Sequence, residues 1–124
     1  TPHVAGYSTD GKANGTAMVV NSLCRYFNLP SEKWYPANVP PPASPQFTVD
    51  CKGKSEEEII REAVFHTYNI DEDNSSLRST LSDFEKLRGN YPLRREFTSY
   101  TAELKNGSEK IQKTIANLGF RIKI

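Results

Sequence analysis

The amino end places one side chain suited to proton transfer in a loop. His3 sits between Pro2 and Gly6 in Thr1-Pro2-His3-Val4-Ala5-Gly6-Tyr7-Ser8. The ordinary pKa of an imidazole, about 6.5, suits general acid/base work near neutrality. Other patterns mimic chemistry and fail on inspection. Gly6 to Ala13 nearly spells the phosphate loop G-x-x-x-x-G-K-[ST], but Ala13 lacks the hydroxyl that would hold Mg²⁺, and no apolar strand precedes Gly6. Asp71, Asp73 and Ser75 begin like a calcium loop. Ser76 then stands where glycine is required and Ser82 where glutamate is, so an acidic, solvated turn is the better reading. His3, Cys24, Cys51 and His66 show no metal-ligand spacing, and no metal is expected. No G-x-G-x-x-G occurs. Lys86, Arg88, Arg94 and Arg95 cluster among Glu85 and Glu96. Such a run is ordinarily a solvated face with weak ion pairs; the alternative is a contact to an acidic partner or a phosphate through bidentate arginine.

The elements that must carry these residues fall into three parts. Residues 1–29 are a short loop and a helix from about Thr9 to Asn28. Its stripe is Ala13, Ala17, Val20, Cys24 and Phe27, flanked by Leu23. Gly11 and Gly15 weaken that helix, which a close packing contact would explain. Residues 30–45 hold six of eight prolines and read as an extended, semi-rigid linker. Trp34 and Tyr35 should anchor it to a surface. Residues 46–124 read as a small domain. Phe47, Val49 and Cys51 alternate like a strand. Ser55 and Glu58 form a capping box for a helix whose buried face is Ile59, Ile60, Ala63, Val64 and Thr67. His66 lies near that face, in a structural role. Asn69 to Ser76 reads as a polar break, followed by two helical pieces around 76–81 and 82–88 that end at Gly89. Tyr100, Ala102 and Leu104 mark a second strand, Asn106-Gly107 a turn, and Ser108 the cap of a helix that Gly119 stops. Phe120, Ile122 and Ile124 mark a last strand. The final strand–helix–strand predicts two parallel neighbours. The expected fold is α+β: a three-stranded mixed sheet with covering helices, preceded by a long helix and the linker.

Composition narrows the partners. With 16 Lys+Arg against 15 Asp+Glu there is no general case for nucleic acid or an anionic membrane. No apolar run reaches the ~18 residues of a membrane span, and no signal peptide is visible, so a cytoplasmic protein is expected. Two cysteines are too few for a disulfide framework and should be reduced, partly buried thiols. Apolar residues make up only 36%, which suggests that some apolar surface is completed by another domain or subunit.

The run Thr1-Pro2-His3-Val4-Ala5-Gly6-Tyr7-Ser8, continued by Gly11-Lys12 and Gly15-Thr16, resembles the segment closing the cofactor domain of 4-phosphoerythronate dehydrogenases, in the D-2-hydroxyacid dehydrogenase superfamily. Phe84-Glu85-Lys86-Leu87-Arg88, Asn90-Tyr91 and Arg94-Arg95-Glu96-Phe97 are similar to that enzyme's own C-terminal domain. The resemblance implies that His3 is the general acid/base, that Gly6 lies by the nicotinamide of NAD, and that Tyr7 contacts substrate. It implies that residues 1–29 end an incomplete dinucleotide-binding domain, and that residues 46–124 form a homodimer. The catalytic Arg, the Glu paired with the His, the phosphate-binding glycines and the lid would lie in missing N-terminal domains. The segment alone should bind no NAD and be inactive. A free-standing association module without catalysis is the alternative; a strand–G-x-G-x-x-G–helix upstream of Thr1 would separate the two.

Overall fold

A computed structural model describes residues 1–30 and 33–123. Ser31 and Glu32 of the expected linker, and Ile124 of the expected last strand, lie outside the described residues.

Helix α1 runs Thr9–Tyr26 and opens on the Ser8 side chain, which accepts from the Gly11 amide at 3.0 Å. The helix stops two residues short of the expected end, and Asn28 turns the chain with φ +53°. Ala13, Ala17 and Cys24 are buried, whereas Leu23 and Phe27 are exposed. The expected stripe is thus covered only on its small-residue side. The two glycines differ. A Cβ at Gly11 would stand 2.9 Å from Ser8 Oγ and 3.1 Å from the Gly6 carbonyl oxygen, while one at Gly15 would meet open space. The close contact is therefore real at Gly11, and it is made by the helix's own cap.

The linker residues 33–45 form neither helix nor strand, as fixed φ and missing amides dictate. Its anchor is main chain, not aromatic. Asn21 of α1 accepts from the Trp34 amide at 2.7 Å and donates to the Trp34 carbonyl at 3.0 Å, leaving the Trp34 and Tyr35 rings exposed.

Strand β1 (Gln46–Asp50) pairs with β2 (Thr101–Lys105), which pairs with β3 (Arg121–Ile122), in the order β1-β2-β3. Both pairings are parallel, with Val49 opposite Leu104 and Ala102 opposite Ile122. The class is α+β as expected, but the sheet is not mixed. The long crossover between β1 and β2 returns the chain to the same end, so β1 joins in the direction of the other two. Helix α2 (Glu56–Thr67) starts at the expected capping box: Ser55 Oγ accepts from the Glu58 amide at 3.3 Å, and the Glu58 carboxylate accepts from the Ser55 amide at 2.7 Å. Helix α5 (Glu109–Asn117) is capped by Ser108 and closes at Gly119. Together α2 and α5 cover one sheet face, enclosing Val49, Ile59, Ala63, Tyr100, Ala102, Leu104, Ile111, Ile115 and Phe120. The opposite face carries Thr48, Glu103 and Lys123, joined by hydrogen bonds of 3.3 Å.

The expected break at 69–76 is instead helix α3 (Ile70–Ser79). Asn69 caps it, accepting from the Asp71 amide at 3.1 Å, and Asp71, Glu72 and Asp73 fill its first turn, where the helix dipole favours carboxylates. The same acids that resemble a calcium loop therefore start a helix. A 3₁₀ turn at Leu81–Asp83 leads into helix α4 (Phe84–Gly89), and a second 3₁₀ turn at Phe97–Ser99 leads into β2. Cys24 and Cys51 are free and buried, and burial pushes the Cys51 thiol pKa up. No helix among the described residues is long and apolar enough to cross a membrane.

Ile115 is fully buried between α5 and the sheet. The substitution Ile115→Ala should cost about 2–5 kcal/mol, read as a fall in urea midpoint at unchanged slope.

Candidate functional site

The His3 loop is held by its neighbours while its functional groups stay open. Pro2 and Val4 are buried on either side of an exposed His3, whose φ of +60° lies in the left-handed region that histidine tolerates better than most residues. The loop is thereby pinned at two apolar points with the imidazole presented outward. The Tyr7 amide donates to the Val4 carbonyl at 3.0 Å. Gly6 has φ +74°, and nothing lies within 4 Å of where its Cβ would be. A flat ring could approach that backbone directly.

The loop is locked to the C-terminal domain by one ion pair. Asp10, in the first turn of α1, accepts from Arg95 Nε at 2.8 Å, from an Arg95 terminal nitrogen at 2.9 Å, and from the Glu96 amide at 2.7 Å. The other Arg95 terminal nitrogen donates to the Pro40 carbonyl of the linker. The Thr9 amide donates to the Arg94 carbonyl at 2.8 Å. Both charged side chains are close to nine-tenths buried. Bidentate geometry with every remaining acceptor satisfied is the condition under which such a pair holds structure together. The Arg95 guanidinium, aided by the Glu96 amide, keeps the Asp10 carboxyl below the usual carboxylate range against the opposing effect of burial.

Beside this lock stands an aromatic node. The hydroxyls of Tyr68 and Tyr91 both donate to Asp73 Oδ2, at 2.8 and 2.9 Å. Burial, reinforced by that carboxylate, pushes both phenols up in pKa, so both stay protonated donors. The Arg94 guanidinium lies 4.4 Å from the Tyr68 ring centroid. Tyr7 meets Tyr91 edge-to-face at 6.2 Å, which ties the phenol of the amino-terminal loop to α3 and the segment after α4.

The four basic residues read as one cluster go separate ways. Arg95 pairs with Asp10, Arg94 stacks on Tyr68, Lys86 pairs with Asp83 at the surface, and Arg88 faces Tyr7. The bidentate habit of arginine is used, but within the chain. His66 keeps its structural role: it stacks on Phe47 at 4.2 Å, and its Nε2 lies 3.0 Å from the Ser44 carbonyl oxygen. Asp10 is not singled out by the sequence, and Asp73 stands out there only as part of a calcium-loop mimic. An acid in a first helical turn is common enough to hide a long-range partner.

The family described as Domain of unknown function (DUF3410) matches residues 39–119. The chain belongs to this family. The DUF3410 region thus takes in the linker's end, strands β1 and β2 with both helices that cover them, and the Arg95 side of the lock, and stops just before β3. Similarity to whole proteins extends further. An erythronate-4-phosphate dehydrogenase of Marinobacter nauticus is 36% identical over 132 aligned positions, covering 100% of this chain and 34% of that protein. One from Bacteroides thetaiotaomicron is 45% identical over 81% of this chain and 26% of its own length. One from Hahella chejuensis is 30% identical over 98% of this chain. The chain spans about a third or less of the relatives it matches, aligning to a C-terminal segment.

The lock predicts a pH signature. Because the folded pKa of Asp10 lies below its ordinary 3.8, its contribution is complete above that value and is lost as pH falls through the lower, folded one. Asp10→Asn should therefore cost about 3–5 kcal/mol at pH 7. The gap to the unmodified chain should narrow steadily below about pH 4 in acid-titrated urea melts.

Proposed function

We propose that this chain is the C-terminal part of an NAD-dependent dehydrogenase that oxidises 4-phosphoerythronate to 2-oxo-3-hydroxy-4-phosphobutanoate, on the route to pyridoxal phosphate. One observation carries this reading: likeness to erythronate-4-phosphate dehydrogenases runs across both the His3 loop and the DUF3410 region, and the Asp10–Arg95 lock makes these one unit. In this reading residues 1–29 end the dinucleotide-binding domain, 30–45 link, and 46–124 form the dimerisation domain of a cytoplasmic enzyme.

The roles follow from position. His3 takes the proton of the substrate's 2-hydroxyl as the hydride leaves C2, and returns it in the reverse direction. Gly6 fits a nicotinamide, since its backbone is open and lacks a side chain to block the ring. NAD, when bound, supplies the hydride acceptor. Tyr7 offers its hydroxyl to the substrate while its ring is held against Tyr91. The outward face of α1 carries Met18, Val19, Leu23 and Tyr26, with Tyr26 80% exposed. It is the face that the rest of a dinucleotide-binding domain would cover. The sheet supports association through residues 46–124. Parallel sheets are ordinarily covered on both faces, and this one is covered on one.

Two measurements check the proposal. In the parent protein that includes this segment, His3→Asn should lower kcat for 4-phosphoerythronate roughly 10²- to 10⁴-fold; an undiminished rate would remove His3 from the chemistry. The 124-residue chain should sediment at twice its 14.0 kDa monomer mass and reduce no NAD. A monomer at every concentration would exclude residues 46–124 as a sufficient dimer interface.

A further inference from the structure

Tyr7 is flanked by two cations that no carboxylate balances. Lys12 Nζ, one turn into α1, lies 4.2 Å from the Tyr7 ring centroid, and the Arg88 guanidinium of α4 lies 5.6 Å from it. Among the described residues neither Lys12 nor Arg88 has a carboxylate oxygen within 4 Å, a state they share with other surface cations; what sets them apart is that both face one ring. Arg88 is short of partners in a second way, since its Nε is buried without a hydrogen-bond acceptor. Buried donors are almost always satisfied, so an orphaned one calls for a missing acceptor. Two like charges on one ring also repel unless an anion joins them.

We propose that Tyr7, Lys12 and Arg88 seat a phosphate dianion, the phosphomonoester end of the substrate; this rests on the functional reading above. The match is one of charge and shape. A phosphomonoester carries about −1.5 to −2 at neutral pH, which two cations balance, whereas a carboxylate answers only one. The guanidinium fork fits phosphate oxygens in pairs, Lys12 adds a compact charge, and the Tyr7 hydroxyl adds a donor. Arg94 is not part of this group, because its guanidinium lies over Tyr68 and Tyr91 and not over Tyr7. The consequence is that the C-terminal domain is more than an association unit: through Arg88 it helps choose a phosphorylated acid over a plain one.

The test uses the parent enzyme with Arg88→Gln and, separately, Lys12→Gln, whose exposed site on α1 leaves the fold intact. Steady-state kinetics are read with 4-phosphoerythronate, with unphosphorylated erythronate, and for NAD. Each variant should lower kcat/KM for the phosphorylated acid roughly 10- to 100-fold and leave that for erythronate unchanged. Arg88→Lys should restore part of the loss. Equal losses on both acids, no loss, or a rise in KM confined to NAD would overturn the assignment. Should the parent oxidise neither acid, the functional reading fails, and titrating the 124-residue chain with inorganic phosphate decides this proposal by itself. Saturable shifts of the Tyr7 and Lys12 NMR signals, absent in Arg88→Gln, support it; no saturable shift overturns it.

Discussion

A carboxylate in the first turn of α1 and a guanidinium 85 positions later hold the amino-terminal loop to the C-terminal domain. Without that pair, α1 would meet the rest of the chain mainly through small side chains, Ala13 and Ala17, and through the main-chain clasp of Asn21 on Trp34. Desolvating two charges is costly, and the geometry offsets that cost by satisfying both carboxylate oxygens and reaching the linker through Pro40. Thr9 and Arg94 then close a backbone bond beside it. Tyr7 consequently lands against Tyr91, and Arg88 against Tyr7. Tyr7 and Arg88 thus meet beside the lock.

The same economy explains what is left open. The α2–α5 side of the sheet makes a complete apolar core, so residues 46–123 have the interior of a small domain. Among the described residues, none covers the far side of α1 or the polar face of the sheet. A chain matching about a third of its relatives' length should show surfaces of this kind. The two differ in character. The α1 face is apolar, whereas the sheet face is polar and carries the Thr48, Glu103 and Lys123 hydrogen bonds.

Local signals in the sequence were reliable, and long-range ones were not. Ser55 with Glu58, Asn106-Gly107 and Ser108 worked because caps and turns are decided by a few adjacent residues. The 69–76 stretch is polar throughout yet helical, because Asn69 and three acids start a helix even when none of its residues is buried. Strand direction was missed for β1 because it depends on where a fifty-residue crossover returns, which no local pattern encodes. The exposure of Leu23 and Phe27 follows from helical spacing that gives a face without saying whether its partner is present. In the amino-terminal loop, His3, Gly6 and Tyr7 stand out through a motif, and their roles rest on that resemblance. The partners of Asp10, Asp73, Lys12 and Arg88 are not legible there, because they lie in contacts across the fold.

Amide hydrogen exchange at Thr9 and Glu96 tests the central claim most directly, since both amides exist as hydrogen bonds only while the loop is locked to the domain. Protection at these two amides should be comparable to that of the sheet, and should be lost jointly in Arg95→Ala while the β1–β2 amides remain protected. Rapid exchange at Thr9 and Glu96 in the unmodified chain, with the sheet protected, would contradict it.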